Sequence, residues 1–256
     1  MSNQPSNHHV SRITMILHIS PQTTPLRGKI TIPGDKSISH RAVMLAAIAE
    51  GASTIRRWLP AGDTIATLEA VQALGARVEI DKHSPQAWDL QIAGRGLRGL
   101  QPPAQSLDCR NAGTCMRLLA GILAGQNFPS ILDGSPQLRR RPMRRIIEPL
   151  ARMGANIEAA DGRAPLHITP APLHGFDFHM QIASAQVKSA ILLAGLYADG
   201  TTRIIEAGPS RDHTERMLAA MNAPITFSAG QITLSPPHPL TPATAGRPPL
   251  HPLNIT

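Results

Sequence analysis

Apolar positions fall into two patterns along this chain, and both recur three times. Three blocks are apolar on every side: Leu45-Ala-Ala-Ile-Ala-Glu-Gly51, Leu119-Ala-Gly-Ile-Leu-Ala-Gly125 and Leu193-Ala-Gly-Leu-Tyr-Ala-Asp-Gly200. A helix that is apolar all round is a buried helix, and each block stops at glycine, the residue favoured just past a helix end. Ala46, Ala120 and Ala194 hold equivalent places, at intervals of 74 residues (120 − 46 and 194 − 120). A β-branched stretch follows each block: Ser53-Thr-Ile55, Ser130-Ile-Leu132 and Thr201-Thr-Arg-Ile-Ile205. Such residues suit a pleated, half-buried strand. A second helix is predicted next, over Asp63 to Leu74, Pro142 to Met153 and Asp212 to Met221. Each runs into a strand opening of one type: Gly75-Ala-Arg-Val78, Gly154-Ala-Asn-Ile157 or Asn222-Ala-Pro-Ile225. The pattern predicts an α/β fold of three strand–helix–strand–helix–strand repeats sharing one core. The first helix of each lies centrally and the sheets lie outside. The period exceeds that of short solenoid repeats.

The central helices begin with polar residues. In the first, the strand-like Lys29-Ile-Thr-Ile32 breaks at Pro33-Gly34-Asp35, and Lys36, Ser37 and Arg41 open the helix. The second begins with Asn111-Ala-Gly-Thr114 and Arg117, the third with Ser184-Ala-Gln-Val-Lys188. A helix start exposes unpaired N–H groups and partial positive charge. Cations and a hydroxyl there suit a phosphate or carboxylate. One such start reads equally well as a capped surface helix with solvated charges. Three in register, on parallel helices, predict one electropositive mouth for a ligand with several anionic groups and hydroxyls.

Charge supports an anionic partner without naming it. Among 256 residues there are 25 Lys and Arg against 17 Asp and Glu, a formal net charge of +8. The aromatic content of 3% counts against a single-strand nucleic-acid binder, which needs stacking platforms. The two cysteines, Cys109 and Cys115, form no metal or redox motif, and a reducing, cytoplasmic setting is the expectation. The eleven histidines have no zinc-site spacing. No apolar run is long enough to span a bilayer, so no membrane partner is expected.

The ends differ from the middle. Residues 1–12 read as a disordered tail. Residues 237–256 hold Pro237, Pro239, Pro242, Pro248, Pro249 and Pro252 and read as an extended crossover. Leu253-Asn-Ile-Thr256 reads as the start of a strand.

Five ordered motifs together resemble the 5-enolpyruvylshikimate-3-phosphate synthases, also named 3-phosphoshikimate 1-carboxyvinyltransferases. They are Pro33-Gly-Asp-Lys-Ser-Ile-Ser-His-Arg41, Asn111-Ala-Gly-Thr-Cys-Met-Arg117, Leu138-Arg-Arg-Arg-Pro-Met143, Ala183-Ser-Ala-Gln-Val-Lys-Ser-Ala190 and Ser210-Arg-Asp-His-Thr-Glu215. The resemblance runs over roughly residues 14 to 236. It implies a fold of two similar domains, each of three βαβαββ units with central parallel helices. Residues 24–236 would form the shikimate-3-phosphate-binding domain. Residues 13–23 would supply a strand to a second domain, and 237–256 would cross over and begin it. A complementary C-terminal half is the protein partner this implies.

The implied reaction transfers the enolpyruvyl group of phosphoenolpyruvate to the 5-hydroxyl of shikimate 3-phosphate, with release of phosphate and without metal or organic cofactor. This is a step toward chorismate and the aromatic amino acids. By the resemblance, Lys36 contacts both substrates and is the catalytic candidate. Ser37 and Arg41 hold the shikimate part. Ser184, Ala185 and Gln186 bind its phosphate, and Ser210 and Arg211 extend that grip. Asn111, Gly113, Arg141 and Gln186 attend phosphoenolpyruvate, Gly113 by letting the backbone come close and Arg141 as a guanidinium clamp. Three positions depart from the family pattern: Arg110 stands where glycine is frequent, Ala185 where serine is, and His213 where tyrosine is. The family's acid/base carboxylate and lysine lie in the other domain. The expectation is a chain that binds shikimate 3-phosphate and does not turn over.

Other signals point elsewhere. Gly94-Arg-Gly-Leu-Arg-Gly99 matches a dinucleotide fingerprint, but Leu100-Gln-Pro-Pro103 follows where a helix must start, so it reads as a loop or hairpin. Arg139-Arg-Arg-Pro-Met-Arg-Arg145 resembles a nucleic-acid patch. Beside the family match, Arg141 is the ligand clamp and the other arginines are field and rim. Cys115, Met116, Met143 and Met153 read as core. A basic nucleic-acid-binding module is one alternative. Another is the UDP-N-acetylglucosamine enolpyruvyl transferase type, which carries Lys-Asn where Lys36-Ser37 stand and a cysteine in the loop matching Ser135 to Arg140.

Overall fold

The structure is a computed structural model and describes residues 17–235, except 22 and 26, together with the strand Asn254–Ile255. Two bodies separate at Ile32: Met1–Ile32 and Pro33–Thr256. The larger body starts at Pro33. It contains three repeats. The first comprises α1 (Lys36–Ile48), β1 (Glu50–Trp58), α2 (Gly62–Ala73), β2 (Arg77–Ser84) and β3 (Ala87–Arg95). The second comprises β4 (Leu107–Asp108), α3 (Gly113–Ala124), β5 (Ser130–Asp133), α4 (Pro136–Arg139), α5 (Arg144–Arg152), β6 (Asn156–Glu158) and β7 (Leu166–Thr169). The third comprises β8 (Asp177–His179), α6 (Ala185–Gly195), β9 (Thr202–Ile205), α7 (His213–Ala220), β10 (Ile225–Ser228) and β11 (Gln231–Leu234). Asn254–Ile255 forms β12.

Each repeat closes its own four-stranded sheet in one order. The orders are β4-β5-β7-β6, β8-β9-β11-β10 and β12-β1-β3-β2. In each, the first strand is parallel to the second, and the other pairings are antiparallel. Each first place is filled by the strand preceding the central helix, except in the first repeat. There β12 pairs with β1, Thr54 opposite Asn254 and Ile55 opposite Ile255. Asn254 and Ile255 thus lie in the sheet of the first repeat. Lys29–Ile32, read as a strand, forms none, and Ile30 and Ile32 are 86% and 71% exposed. Residues 17–21 and 23, within the strand expected over 13–23, also form none. The tail at 1–12 and the Pro-rich stretch 236–253 lie outside the described residues.

The central helices α1, α3 and α6 are buried nearly throughout, because Ala and Gly at their contacts let backbones approach. A Cβ on Gly121 would come within 2.3 Å of the Ala190 carbonyl oxygen, and one on Gly125 within 2.1 Å of the Tyr197 ring. Thr114 meets Gln186 at the other end of the same pair. Residue numbers rise together along both helices, so α3 and α6 run parallel. Cys109, Cys115, Met116, Met143 and Met153 are wholly buried, as expected of core residues. Helix α4 was not anticipated. Ser135 caps it by accepting from the Leu138 amide at 3.1 Å, and Pro136 follows at the first turn. The chain then turns before α5, which starts at Arg144 instead of Pro142.

Candidate functional site

Hydrogen bonds join the first turns of the three central helices. The Asp35 carboxylate caps α1 by accepting from the Ile38 amide at 2.7 Å. This sets the helix so that Ser37 and Arg41, one turn apart, share a face. Arg41 is 2% exposed. It donates to Ser37 Oγ at 2.6 Å and reaches across to Ser189 Oγ of α6 and Thr214 Oγ1 of α7, both at 2.7 Å. His213 Nδ1 lies 3.1 Å from Ser37 Oγ. Burial, then Arg41, holds the His213 imidazole below its ordinary pKa. Helix α3 meets α6 through Gln186, whose amide nitrogen donates to Thr114 Oγ1 at 2.9 Å. Gln186 Oε1 accepts from Arg117 and Arg145, each at 2.9 Å. A Cβ on Gly113 would stand 2.7 Å from Arg117 Nη1 and 3.3 Å from Arg141 Nη1. The place a Cβ would take is thus filled by guanidiniums, which the glycine lets approach the backbone at the start of α3. Helix α3 has no side-chain cap, so its first-turn N–H groups are not claimed by one.

The charges here are not arranged for stability. Burial lowers the Arg41 pKa to about 10, and burial with Arg145 and Arg141 lowers that of Arg117 to about 10. Both remain cations at neutral pH, yet their hydrogen-bond acceptors are hydroxyls, carbonyls and an amide. Among the described residues, none of Arg41, Arg117, Arg141 and Arg145 forms an ion pair with a carboxylate. Burying a guanidinium without a counter-ion costs several kcal/mol, and a bound anion offsets that cost. Such an arrangement at the fold's centre suits an anion.

The other expected residues fall as follows. Lys36 stands at the start of α1, half-exposed, and is ion-paired with Asp63 at the first turn of α2. Ser184 caps α6, accepting from the Val187 amide at 3.4 Å, and Ala185 is its first helical residue. Asn111 is held by α4 and its cap: its amide donates to Gln137 at 3.1 Å and accepts from Ser135 at 3.3 Å. Ser210 donates to Glu206 at 2.6 Å. Arg211 lies near enough to Arg41 and His213 to lower both pKa values. Arg110, where the family favours glycine, has φ 50°. That left-handed conformation is the reason glycine suits the place. Its guanidinium pairs with Glu69 at 2.6 Å, which gives its charge a local partner.

One expectation is corrected. Lys188, grouped with the polar start of α6, is fully buried and bonded to Glu206 at 2.8 Å and Glu215 at 2.5 Å. Two residues along a helix are about 200° apart, so Gln186 at the junction puts Lys188 on the opposite side. A cleft of about 460 Å³ opens beside this triad, lined by Glu206, Asp212 and Glu215 as well as Ser210. Thr114, Ser189, Thr214 and the specific partnership of Arg145 were missed. The hydroxyls stood within motifs already quoted, but nothing in their spacing distinguished them from ordinary helix residues.

Comparison with known proteins gives the family. The sequence profile described as EPSP synthase (3-phosphoshikimate 1-carboxyvinyltransferase) matches residues 21–245. A 3-phosphoshikimate 1-carboxyvinyltransferase of Acidithiobacillus ferrooxidans is 54% identical over 200 residues, covering 78% of this chain and 45% of the relative. One of Xanthomonas euvesicatoria is 53% identical over 218 residues, covering 84% and 49%. A solved EPSP synthase of Acinetobacter baumannii superposes with a TM-score of 0.79 at 42% identity, covering 89% of this chain and 49% of that one. Neither the nucleic-acid module nor the UDP-N-acetylglucosamine enzyme type is favoured by these matches. The chain spans about half the length of the curated relatives it matches, and it belongs to the EPSP synthase (3-phosphoshikimate 1-carboxyvinyltransferase) family.

Proposed function

We propose that this chain forms the shikimate-3-phosphate-binding part of a cytoplasmic 3-phosphoshikimate 1-carboxyvinyltransferase. In that reaction the methylene carbon of phosphoenolpyruvate takes a proton, and the 5-hydroxyl of shikimate 3-phosphate adds to the neighbouring carbon. The resulting tetrahedral adduct then loses phosphate and a proton to restore the enol ether. In this reading Ser37 and Arg41 hold the shikimate ring, and Ser184, Ala185, Gln186, Ser210 and Arg211 hold its phosphate. Asn111, Gly113, Arg141 and Gln186 receive phosphoenolpyruvate. Lys36 lies between the two and exchanges Asp63 for the substrates. A neutral His213 accepts from Ser37 and keeps that hydroxyl oriented beside Arg41.

One observation carries the reading: buried arginines without a carboxylate partner converge where α1, α3 and α6 begin. Both substrates carry phosphate and carboxylate, which those cations fit. Among the described residues the acid/base groups at the mouth include Asp35, the Lys36–Asp63 pair and His213, and the resemblance assigns the proton-transfer carboxylate to another domain. The chain is therefore expected to bind and not to turn over. Thermal denaturation with increasing shikimate 3-phosphate should show saturable stabilisation, while a coupled phosphate-release assay with both substrates stays at background. Absence of stabilisation would remove the binding site from the account. Steady phosphate release would remove the claim that catalysis needs a further half.

A further inference from the structure

Gln186 is held from two sides by charge. Its side-chain oxygen accepts from Arg117 of α3 and Arg145 of α5, each at 2.9 Å, and its nitrogen donates to Thr114 Oγ1 at 2.9 Å. The network decides which end of a carboxamide is oxygen. A guanidinium only donates, so the end facing two guanidiniums must be the acceptor. The reversed amide would set its own N–H groups against two cations. The NH₂ end therefore faces α3, with one hydrogen committed to Thr114 and the second left over. Arg117 is itself fixed, 5% exposed and with a second donor 3.4 Å from the Pro142 carbonyl. Arg145 is exposed, and its guanidinium donates to Gln186. Arg139, by contrast, is spent on Asp133. The run is not a uniform basic rim: one member has a defined acceptor in the site.

We infer that Arg117 and Arg145 are positioning residues that lock the Gln186 amide with its nitrogen toward Thr114 and one N–H to spare, making Gln186 an obligate hydrogen-bond donor to the anionic substrate. The inference rests on the proposed substrate reading for the identity of that anion. The lock itself is a property of the free chain.

The test is a double-mutant cycle with a spectroscopic arm. Arg145→Met is chosen because an exposed arginine can lose its head group while its stem still packs. Titration calorimetry with shikimate 3-phosphate should show about tenfold weaker binding for Arg145→Met in the native background. In the Gln186→Ala background the same change should cost less than twofold. Arg145→Lys, which still donates, should recover part of the loss. Equal losses in both backgrounds would overturn the inference, since Arg145 would then act on the substrate directly or through its field. Separately, the side-chain NH₂ pair of Gln186, identified in ¹⁵N spectra by its loss in Gln186→Ala, should shift and exchange faster with solvent in ligand-free Arg145→Met. An unmoved pair would also overturn the inference. If the native chain fails to bind shikimate 3-phosphate while the NH₂ pair responds as described, the lock stands and the substrate reading falls.

Discussion

His40 stands beside the anion site without joining it, and its burial writes a pH dependence into the fold. The imidazole is fully buried, with Nδ1 2.6 Å from Thr67 Oγ1. Burial, followed by Lys36 and Arg41 against the opposing pull of Asp63, lowers its pKa to about 4 from 6.5. Between those two values the unfolded chain binds a proton that the folded chain does not, so stability rises with pH across the window. Acidifying from pH 7 toward pH 4 should therefore remove roughly 3 kcal/mol through this one residue. Urea unfolding of the native chain and of His40→Asn, which cannot titrate, should give curves whose difference changes by about that amount between pH 7 and pH 4. A constant difference would mean that His40 takes up its proton in the folded state. Residues of this kind are legible in sequence only as letters. His40 lies within the quoted Lys36–Arg41 motif, but nothing in the string says it points away from the ligand into the core. The same holds for Arg145, whose partner Gln186 is 41 residues away in sequence.

At the scale of elements, the all-round apolar pattern located α1, α3 and α6 because a buried helix needs no polar stripe. What fixes their mutual distance is narrower. Gly121 touches Ala190 backbone, and a methyl there would sit 2.3 Å from a carbonyl oxygen that belongs to the other helix. Gly121→Ala gains about 1 kcal/mol of helix propensity but must push α3 and α6 apart. Overpacking of this kind costs roughly 1–3 kcal/mol, occasionally more. The collision is with backbone, which cannot rotate away, so the penalty should win. We expect a net loss of about 1–2 kcal/mol in chemical denaturation. Because Thr114 and Gln186 pair on the same two helices, weaker shikimate 3-phosphate binding should accompany it. A more stable variant with native binding would show that the helices are not set by this contact. Strands were harder to read. Lys29–Ile32 and Leu253–Thr256 read alike in the sequence, yet of the two only Asn254–Ile255 forms a strand, paired with β1. Helix α4 was signalled by Ser135-Pro136, a cap followed by a first-turn proline, but it is shorter than a periodic pattern can reveal.

For the whole molecule, the threefold repeat made the main feature foreseeable: equivalent helices in equivalent repeats start at one end, and their first turns do meet. Counting cations did not foresee which of them face that end, as Lys188 shows by neutralising Glu206 and Glu215 in the interior. This distinction has a measurable consequence. The formal net charge of +8 attracts any anion from a distance, and that attraction is screened once the Debye length shrinks from about 14 Å near 0.05 M salt to about 4 Å near 0.5 M. Contacts to buried guanidiniums and hydroxyls inside the mouth are screened far less. If the buried Arg41 and Arg117 do the holding, shikimate 3-phosphate affinity measured by calorimetry should fall by no more than about tenfold over that range. A chain that binds polyanions through its basic surface should instead lose on the order of a thousandfold. A salt slope near −1 places the ligand among the helix starts. A slope of −3 or steeper would return the function to the basic exterior, where the arginines of 139–145 act together and the convergence of α1, α3 and α6 has no ligand to hold.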